Sequence, residues 1–174
     1  IQQNIEMLAI SYNQTGSVLM QMGANDKALK TFKKVLDIIE KLDKNNSLIE
    51  SLKYNIVIFF NELTELYLKQ GLLNESFKIC NDSMGLIEQQ LNQSPDNKKW
   101  QRTYASSKNF IGNIYDLQGK INEAEKAYNE ALAINEFLSA EEPNNAYNQR
   151  QLWIAYWCMV EICEKTGSAE ITMW

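Results

Sequence analysis

Apolar residues recur at steps of three and four along most of the chain, which is the spacing of one face of an α-helix. The first apolar stripe begins at Ile5 and ends at Met20, and Gly23 then interrupts it. A second stripe runs from Ala28 to Leu42. Glycine just beyond the last periodic residue is typical of a helix C-terminus. This stretch therefore predicts a hairpin of two amphipathic helices.

The same pattern returns along the chain at a fixed interval of 48 residues, marked by Gly23, Gly71, Gly119 and Gly167. Other residues keep the interval, namely Asn13, Asn61 and Asn109, Pro95 with Pro143, and Gln101-Arg102 with Gln149-Arg150. A constant period of this size is the mark of stacked repeats, in which each unit buries its apolar face on its neighbours. Such arrays usually bind other proteins.

We predict one all-α array over residues 1–174, with repeats at about 1–46, 47–94 and 95–142 and a partial repeat at 143–174. The predicted helices span 2–22, 25–43, 47–70, 73–92, 97–118, 121–141 and 145–166. Small and aromatic residues at repeated positions should form the core: Tyr12, Gly16, Phe32, Phe60, Tyr67, Cys80, Tyr115, Ala124, Tyr128, Ala131 and Tyr156.

Charge and composition narrow the classes of partner. The net charge of −5 argues against nucleic acid, whose binding proteins normally present a basic face. The longest apolar run, Leu152 to Val160, is far shorter than the roughly 18 residues of a membrane span. The three cysteines form no Cys-x-x-Cys pair, and their odd number does not suggest a disulfide framework. We therefore expect a reducing, cytoplasmic location and no membrane association.

The sequence contains no recognisable set of catalytic residues. The chain has no histidine, which removes the commonest general base and the commonest metal ligand. It also lacks a glycine-rich phosphate loop, a metal-binding spacing and a nucleophile next to a base. We expect no catalytic residues, no metal site and no cofactor, and hence no enzyme.

The spacing of small and aromatic residues resembles the tetratricopeptide repeat. The third unit carries that pattern in Ile111-Gly112, Tyr115, Gly119, Ala124, Tyr128 and Ala131, and the first in Thr15-Gly16, Leu19, Gly23, Ala28 and Phe32. The usual period of that family is about 34 residues. The longer period, with openings at Pro95 and Pro143, is similar to a long-helix subclass seen mainly in bacteria. The resemblance implies a right-handed solenoid of about three and a half antiparallel helix hairpins.

The resemblance also implies a concave groove lined by the first helix of each repeat. Carried over by helix position, its residues are Asn13, Ser17, Asn61, Glu62, Glu65, Lys69, Asn109, Asn113, Asp116, Trp157, Glu161 and Glu164. Repeated asparagines can pair with the backbone of an extended peptide. The alternative is that they are ordinary polar positions. The excess of acidic residues favours a neutral or basic protein segment as partner.

Two further expectations concern the ends of the chain. The sequence opens at Ile1 within an apparent helix, so we expect a piece of a larger protein. The function would then be that of a scaffold or, alternatively, of a regulatory sensor region joined to an effector domain elsewhere. The segment Leu152–Val160 is apolar on every side of a helix, which predicts all-round burial or a protein contact. Unless further repeats cover it, it is a candidate for self-association.

Overall fold

In the computed structural model, residues 2–44 and 50–167 are described, and they form helices and turns without a β-strand. The helices are α1 (Gln2–Gln21), α2 (Asn25–Lys44), α3 (Glu50–Lys69), α4 (Leu73–Gln93), α5 (Lys98–Leu117), α6 (Ile121–Glu141) and α7 (Ala146–Thr166). The predicted all-α fold is confirmed, with predicted boundaries agreeing to within one residue. The predicted start at residue 47 lies outside the described residues.

The chain divides into two compact units, Ile1–Ile79 and Cys80–Trp174, and the boundary falls inside α4. In the first unit α1 packs against α2, and α3 contacts both helices. In the second unit α6 packs against α5 and α7, and α5 also contacts α7. The grouping of these helices into four repeats of one right-handed array stays a prediction.

A glycine with a left-handed backbone follows each of the helices α1, α3, α5 and α7. The φ angles are 73° at Gly23, 71° at Gly71, 72° at Gly119 and 69° at Gly167. The amide of Lys120 then reaches back to the carbonyl of Tyr115 at 2.9 Å, and the amide of Leu72 to that of Tyr67 at 2.9 Å. This bonding satisfies carbonyls that the helix end would leave without a donor. Glycine therefore recurs every 48 residues because each of these positions needs a left-handed backbone conformation.

A second repeated turn precedes α5 and α7 and uses asparagine as the helix cap. The side-chain oxygen of Asn97 accepts from the amide of Lys99 at 3.1 Å, and that of Asn145 from the amide of Tyr147 at 3.1 Å. The glutamine amides close both turns in the same way, from Gln101 to the Pro95 carbonyl at 2.9 Å and from Gln149 to the Pro143 carbonyl at 3.3 Å. The repeated Pro and Gln positions are thus local turn elements.

Arg102 connects the start of α5 with the turn between α6 and α7. Its Nε donates to Oδ1 of Asn148 at 2.8 Å, and its guanidinium also bonds the Glu142 carboxylate. The amide of Asn148 donates in turn to the Leu138 carbonyl at 3.0 Å. The Asn145 amide and then the charges of Arg102 and Lys98 lower the pKa of Glu142. We call Arg102, Glu142 and Asn148 the turn lock.

In two hairpins, a glycine of the first helix contacts an aromatic ring of the second helix. A Cβ at Gly16 would overlap the ring of Phe32, and a Cβ at Gly112 would overlap the ring of Tyr128. Ala28 precedes Phe32 by one helical turn and is fully buried, as Ala124 is before Tyr128. Small residues at these positions let the paired helices approach each other closely.

Most of the predicted core is buried, including Gly16, Phe32, Phe60, Tyr67, Cys80, Ala124, Tyr128 and Ala131. Burial raises the pKa of the Cys80 thiol to about 12, so this cysteine acts as a small apolar core residue. Tyr12 and Tyr115 are half-buried. The prediction for Tyr156 is wrong: it is 45% exposed, and its hydroxyl donates to Glu136 at 2.8 Å.

Candidate functional site

The predicted groove residues of the first unit lie on α1 and α3, which contact each other. Asn13 and Ser17 are one turn apart on α1, and the Ser17 hydroxyl donates to Oε2 of Glu62 on α3 at 2.6 Å. Asn13, Ser17, Asn61, Glu62 and Glu65 are half-buried, whereas Lys69 is exposed. The structure therefore brings a serine, an asparagine and a carboxylate together across two neighbouring first helices.

Glu62 is the electrostatically unusual member of this group. Burial raises the pKa of its carboxyl, hydrogen bonds from Ser17 and Asn13 lower it in part, and the charge of Glu65 raises it further. Glu65 itself is bound by Lys69, with 2.6 Å between Nζ and Oε1. Lys69 thus compensates the charge of Glu65. The Glu62 carboxylate is partly removed from water, and no cation is among the groups that act on it.

Replacing Glu62 with glutamine should change how stability depends on pH. Because the folded-state pKa of Glu62 is raised above its ordinary value of 4.5, the folded chain holds this proton more strongly than the unfolded chain. The carboxylate then lowers the free energy of unfolding as pH rises from 4.5 through the folded pKa. In the glutamine variant the free energy of unfolding should not fall over this pH range, and at neutral pH it should be at least as high as in the original chain. Urea unfolding of both proteins at a series of pH values measures the difference, and parallel profiles would contradict it.

In the second unit most of the predicted groove residues already have partners. The Asn113 side-chain oxygen accepts from the Tyr128 hydroxyl at 2.7 Å. Asp116 accepts from Lys165 Nζ at 2.6 Å. The indole N–H of Trp157 donates to Oε1 of Glu161 at 2.8 Å, and both side chains are exposed. Glu164 is also exposed. Lys165, which the sequence analysis did not include, therefore neutralises part of the acidic surface.

The three aligned asparagines have different environments. Asn13 and Asn61 are half-buried, whereas only 8% of Asn109 is exposed. The Oδ1 atoms of Asn13 and Asn109 are buried and accept no hydrogen bond within the described part of the chain. Little of Asn109 is thus available to a partner. That the three asparagines pair with the backbone of one extended peptide stays a prediction.

The apolar segment of α7 presents a pair of stacked indole rings to the outside. Trp153 and Trp157 are 65% and 54% exposed, and their ring centroids lie 5.9 Å apart at an interplanar angle of 23°. On the inner side of the same helix, Ala155 and Ile162 are buried, with Ile162 packed in a cluster with Ala124 and Tyr128. The segment Leu152–Val160 is therefore buried on one side only.

An open groove in the second unit was not anticipated from the sequence. It has a volume of about 470 Å³ and lies between α4, α5 and α6, with Met84, Gly85 and Ile111 in its lining. Lys108 and Glu130 form an ion pair in this groove, with 2.6 Å between their charged groups. The two residues are 22 positions apart in different helices, so neither the repeat interval nor helix periodicity indicated the pair.

Residues 2–44 and 50–167 contain no group of three or more histidine, cysteine or acidic side chains that could hold a metal ion. All three cysteines carry free thiols. Within the same ranges, no helix combines the length and the apolar character that a membrane crossing requires.

Two segments of the chain match known repeats. Residues 9–42, which cover most of α1 and α2, and residues 105–137, which cover most of α5 and α6, each match a family profile described as tetratricopeptide repeat. The chain is also similar to the crystal structure of the MamA protein, with 20% identity and a TM-score of 0.35 over 96% of this chain and 98% of that one. No curated protein matches it with significance. Both profile matches fall on a glycine-closed helix hairpin, and these two hairpins are therefore tetratricopeptide repeats.

Proposed function

We propose that the chain is a non-enzymatic, cytoplasmic scaffold that binds an extended neutral or basic segment of another protein along its first helices. Tetratricopeptide repeats generally mediate contacts between proteins, and two of them are present. The free thiols of the three cysteines agree with a reducing compartment. The predicted groove positions carry polar side chains in each unit, on α1 and α3 in the first and on α5 and α7 in the second.

The polar group of Asn13, Ser17 and Glu62 is the observation on which this proposal rests. It joins two first helices at predicted groove positions, with a hydrogen bond of 2.6 Å between Ser17 and Glu62. Its carboxylate is half-buried, so a partner can reach it. Glu161 and Glu164 add exposed negative charge on α7. Complementary charge favours basic segments and disfavours acidic ones.

Alanine at Asn13, Asn61 and Asn109 together should weaken partner binding roughly tenfold or more. The variant removes all three aligned amides, of which those of Asn13 and Asn61 are the more exposed and thus better placed to pair with a peptide backbone. Stability should change little, because the Oδ1 atoms of Asn13 and Asn109 accept no hydrogen bond within the described residues and the bond lost from Asn13 is the one to the half-buried Glu62. The partner is first captured with the full chain and identified, and its affinity for each variant is then measured by calorimetry.

The chain offers a matched control for that experiment. Lys30, Lys78 and Lys126 share the same 48-residue interval, lie on the second helices and are all exposed. Alanine at these three positions changes as many residues at the same spacing on α2, α4 and α6. Two outcomes would contradict a site on the first helices. Both triple variants could weaken partner binding equally, or the asparagine variant could bind the partner as well as the original chain does.

We further propose that the chain self-associates through Leu152–Val160 where no further repeat covers this segment. The stacked rings of Trp153 and Trp157 leave a large apolar area in water on one side of α7. Exposed clusters of this kind mark contacts with other proteins, and tryptophan is enriched among the residues that dominate such contacts.

Serine at both Trp153 and Trp157 should abolish self-association without unfolding the chain. Sedimentation velocity at increasing protein concentration should show dimer formation by the original chain and a monomer for the variant. Tyr147→Ser is the control, because Tyr147 is also an exposed aromatic residue of α7 and lies outside the segment. A monomer at every concentration for the original chain would contradict the proposal.

A further inference from the structure

The Glu62 carboxylate is surrounded by hydrogen-bond donors but not by positive charge. Ser17 donates to it from α1 at 2.6 Å, and the Asn13 side chain bonds it from the same helix. The remaining charged group that acts on it is Glu65, which is negative. These neighbours hold the carboxylate in place and leave its charge uncompensated.

Within the described residues, no lysine or arginine of α1 or α3 forms an ion pair with this carboxylate. The stretch from Met7 to Gln21 on α1 contains no lysine or arginine. On α3 the cations are Lys53 and Lys69, nine and seven positions from Glu62, and Lys69 is bound to Glu65 at 2.6 Å. None of the groups that shift the pKa of Glu62 is a cation. Within the described residues, the charge of Glu62 is therefore open to a cation from outside.

A carboxylate taken partly out of water is stabilised when a cation joins it in the same place. Glu62 is half-buried, so one side of it remains in contact with solvent. Its position beside Asn61 and opposite Ser17 is on the predicted partner-binding surface. A guanidinium can bond such a carboxylate in a bidentate way, and an ammonium can bond it as a point charge.

We propose that Glu62 binds the cationic side chain of an arginine or lysine in the partner segment, with Ser17 and Asn13 as positioning residues. This inference rests on the proposed function, because it assigns a chemical group of the partner to that same surface. The bond from Ser17 orients the carboxylate before the partner arrives. Glutamine at position 62 keeps an acceptor for Ser17 but carries no charge, so it separates a structural role from recognition of a cation.

The test uses three capped pentapeptides that differ only in their central residue: arginine, lysine or citrulline, each flanked by two alanines on either side. Citrulline has nearly the shape of arginine and no charge. Each peptide is titrated into the isotope-labelled full chain, and the backbone amide signals are followed by NMR. The arginine and lysine peptides should shift the signals of Asn13, Ser17 and Glu62, and their relative affinities show which cation is preferred. The citrulline peptide should bind roughly tenfold more weakly than the arginine peptide, or not at all.

Two variants complete the experiment. Glu62→Gln should lower the affinity for the arginine peptide roughly tenfold or more. Away from position 62, the NMR spectrum of this variant should stay that of the folded chain. Asp37→Asn, which removes an exposed carboxylate of α2, should leave the affinity unchanged. Equal binding of arginine and citrulline peptides, unchanged binding by Glu62→Gln, or no shift near Glu62 up to the solubility limit would each overturn the inference.

The inference and the proposed function can fail separately. If the triple asparagine variant loses its partner and Glu62→Gln binds that partner normally, the scaffold proposal stands and the cation site does not. If the arginine peptide binds at Glu62 and no groove variant affects the partner, the cation site stands and the partner binds elsewhere.

Discussion

Replacing Ala124 with arginine should lower the free energy of unfolding by about 4 kcal/mol or more. Ala124 is fully buried in a cluster with Tyr128 and Ile162, and Tyr115 and Cys158 pack against this cluster. An arginine there must displace these side chains and bring an unpaired charge out of water. Urea unfolding followed by circular dichroism measures the loss directly.

Ala133 provides the control, because it lies on the same helix and is exposed. Arginine at this position adds the same side chain and charge to α6 without entering the core, so the free energy of unfolding should change by no more than about 0.5 kcal/mol. Equal losses at both positions would attribute the effect to the helix itself. No loss at Ala124 would show that α6 does not pack through this face.

Alanine at Gly112 should lower the free energy of unfolding by about 2 kcal/mol, although alanine normally favours a helix. The added Cβ would overlap the ring of Tyr128, so the hairpin of α5 and α6 must open or the ring must move. Combining Gly112→Ala with Tyr128→Leu should recover part of the loss, because a smaller side chain leaves room for the methyl group. Thermal and urea unfolding of the single and double variants measure this coupling.

Gly85 is the matched control, since it is also a glycine within a helix. A Cβ at Gly85 would meet nothing within 4 Å, and Gly85→Ala should therefore raise the free energy of unfolding by about 0.5–1 kcal/mol. Opposite signs at the two glycines would show that close packing, and not helix propensity, decides the effect at Gly112. A gain at Gly112 as well would contradict the close approach of α5 and α6.

The sequence indicated the hairpins because their turns depend on single residues with a strong backbone preference. Gly71 and Gly119 interrupt the periodic stripes, and left-handed φ angles of 71° and 72° at these positions are conformations that other residues adopt at a cost. Asn97 and Asn145 begin the next helices for a similar local reason, since their side chains cap backbone amides. Signals that are local in the chain were therefore sufficient for the helix boundaries.

The side-chain pairs of the candidate site and of the turn lock were harder to predict because they join different parts of the fold. Ser17 and Glu62 are 45 positions apart, Arg102 and Asn148 are 46, and Asp116 and Lys165 are 49. Each separation is close to one repeat, so the interval itself could have suggested these pairs. Which of the several side chains near that offset make contact depends on helix rotation, and residue spacing alone does not determine this. That these residues form one binding surface stays a prediction, and spacing alone did not identify which side chains they contact.

Tyr156 shows a different reason for failure. Its position in the repeat corresponds to Phe60, which is 6% exposed on α3, and the shared interval predicted burial for both. Burial, however, depends on the neighbouring helix as well as on the residue itself. Within the described residues, the outer side of α7 lacks such a cover at Tyr156, and the ring meets solvent.

The turn lock makes the folding of α5, α6 and α7 interdependent. Arg102 sits in the first two turns of α5, yet its partners Glu142 and Asn148 lie 40 and 46 positions further along the chain. If α7 frays from its N-terminal end, Asn148 moves away and the Arg102 guanidinium on α5 loses this hydrogen-bond partner. In a linear array, stability is a sum of intrinsic terms for each hairpin and coupling terms between neighbours. The lock is a coupling term of this kind, so within the second unit we expect α5, α6 and α7 to unfold together.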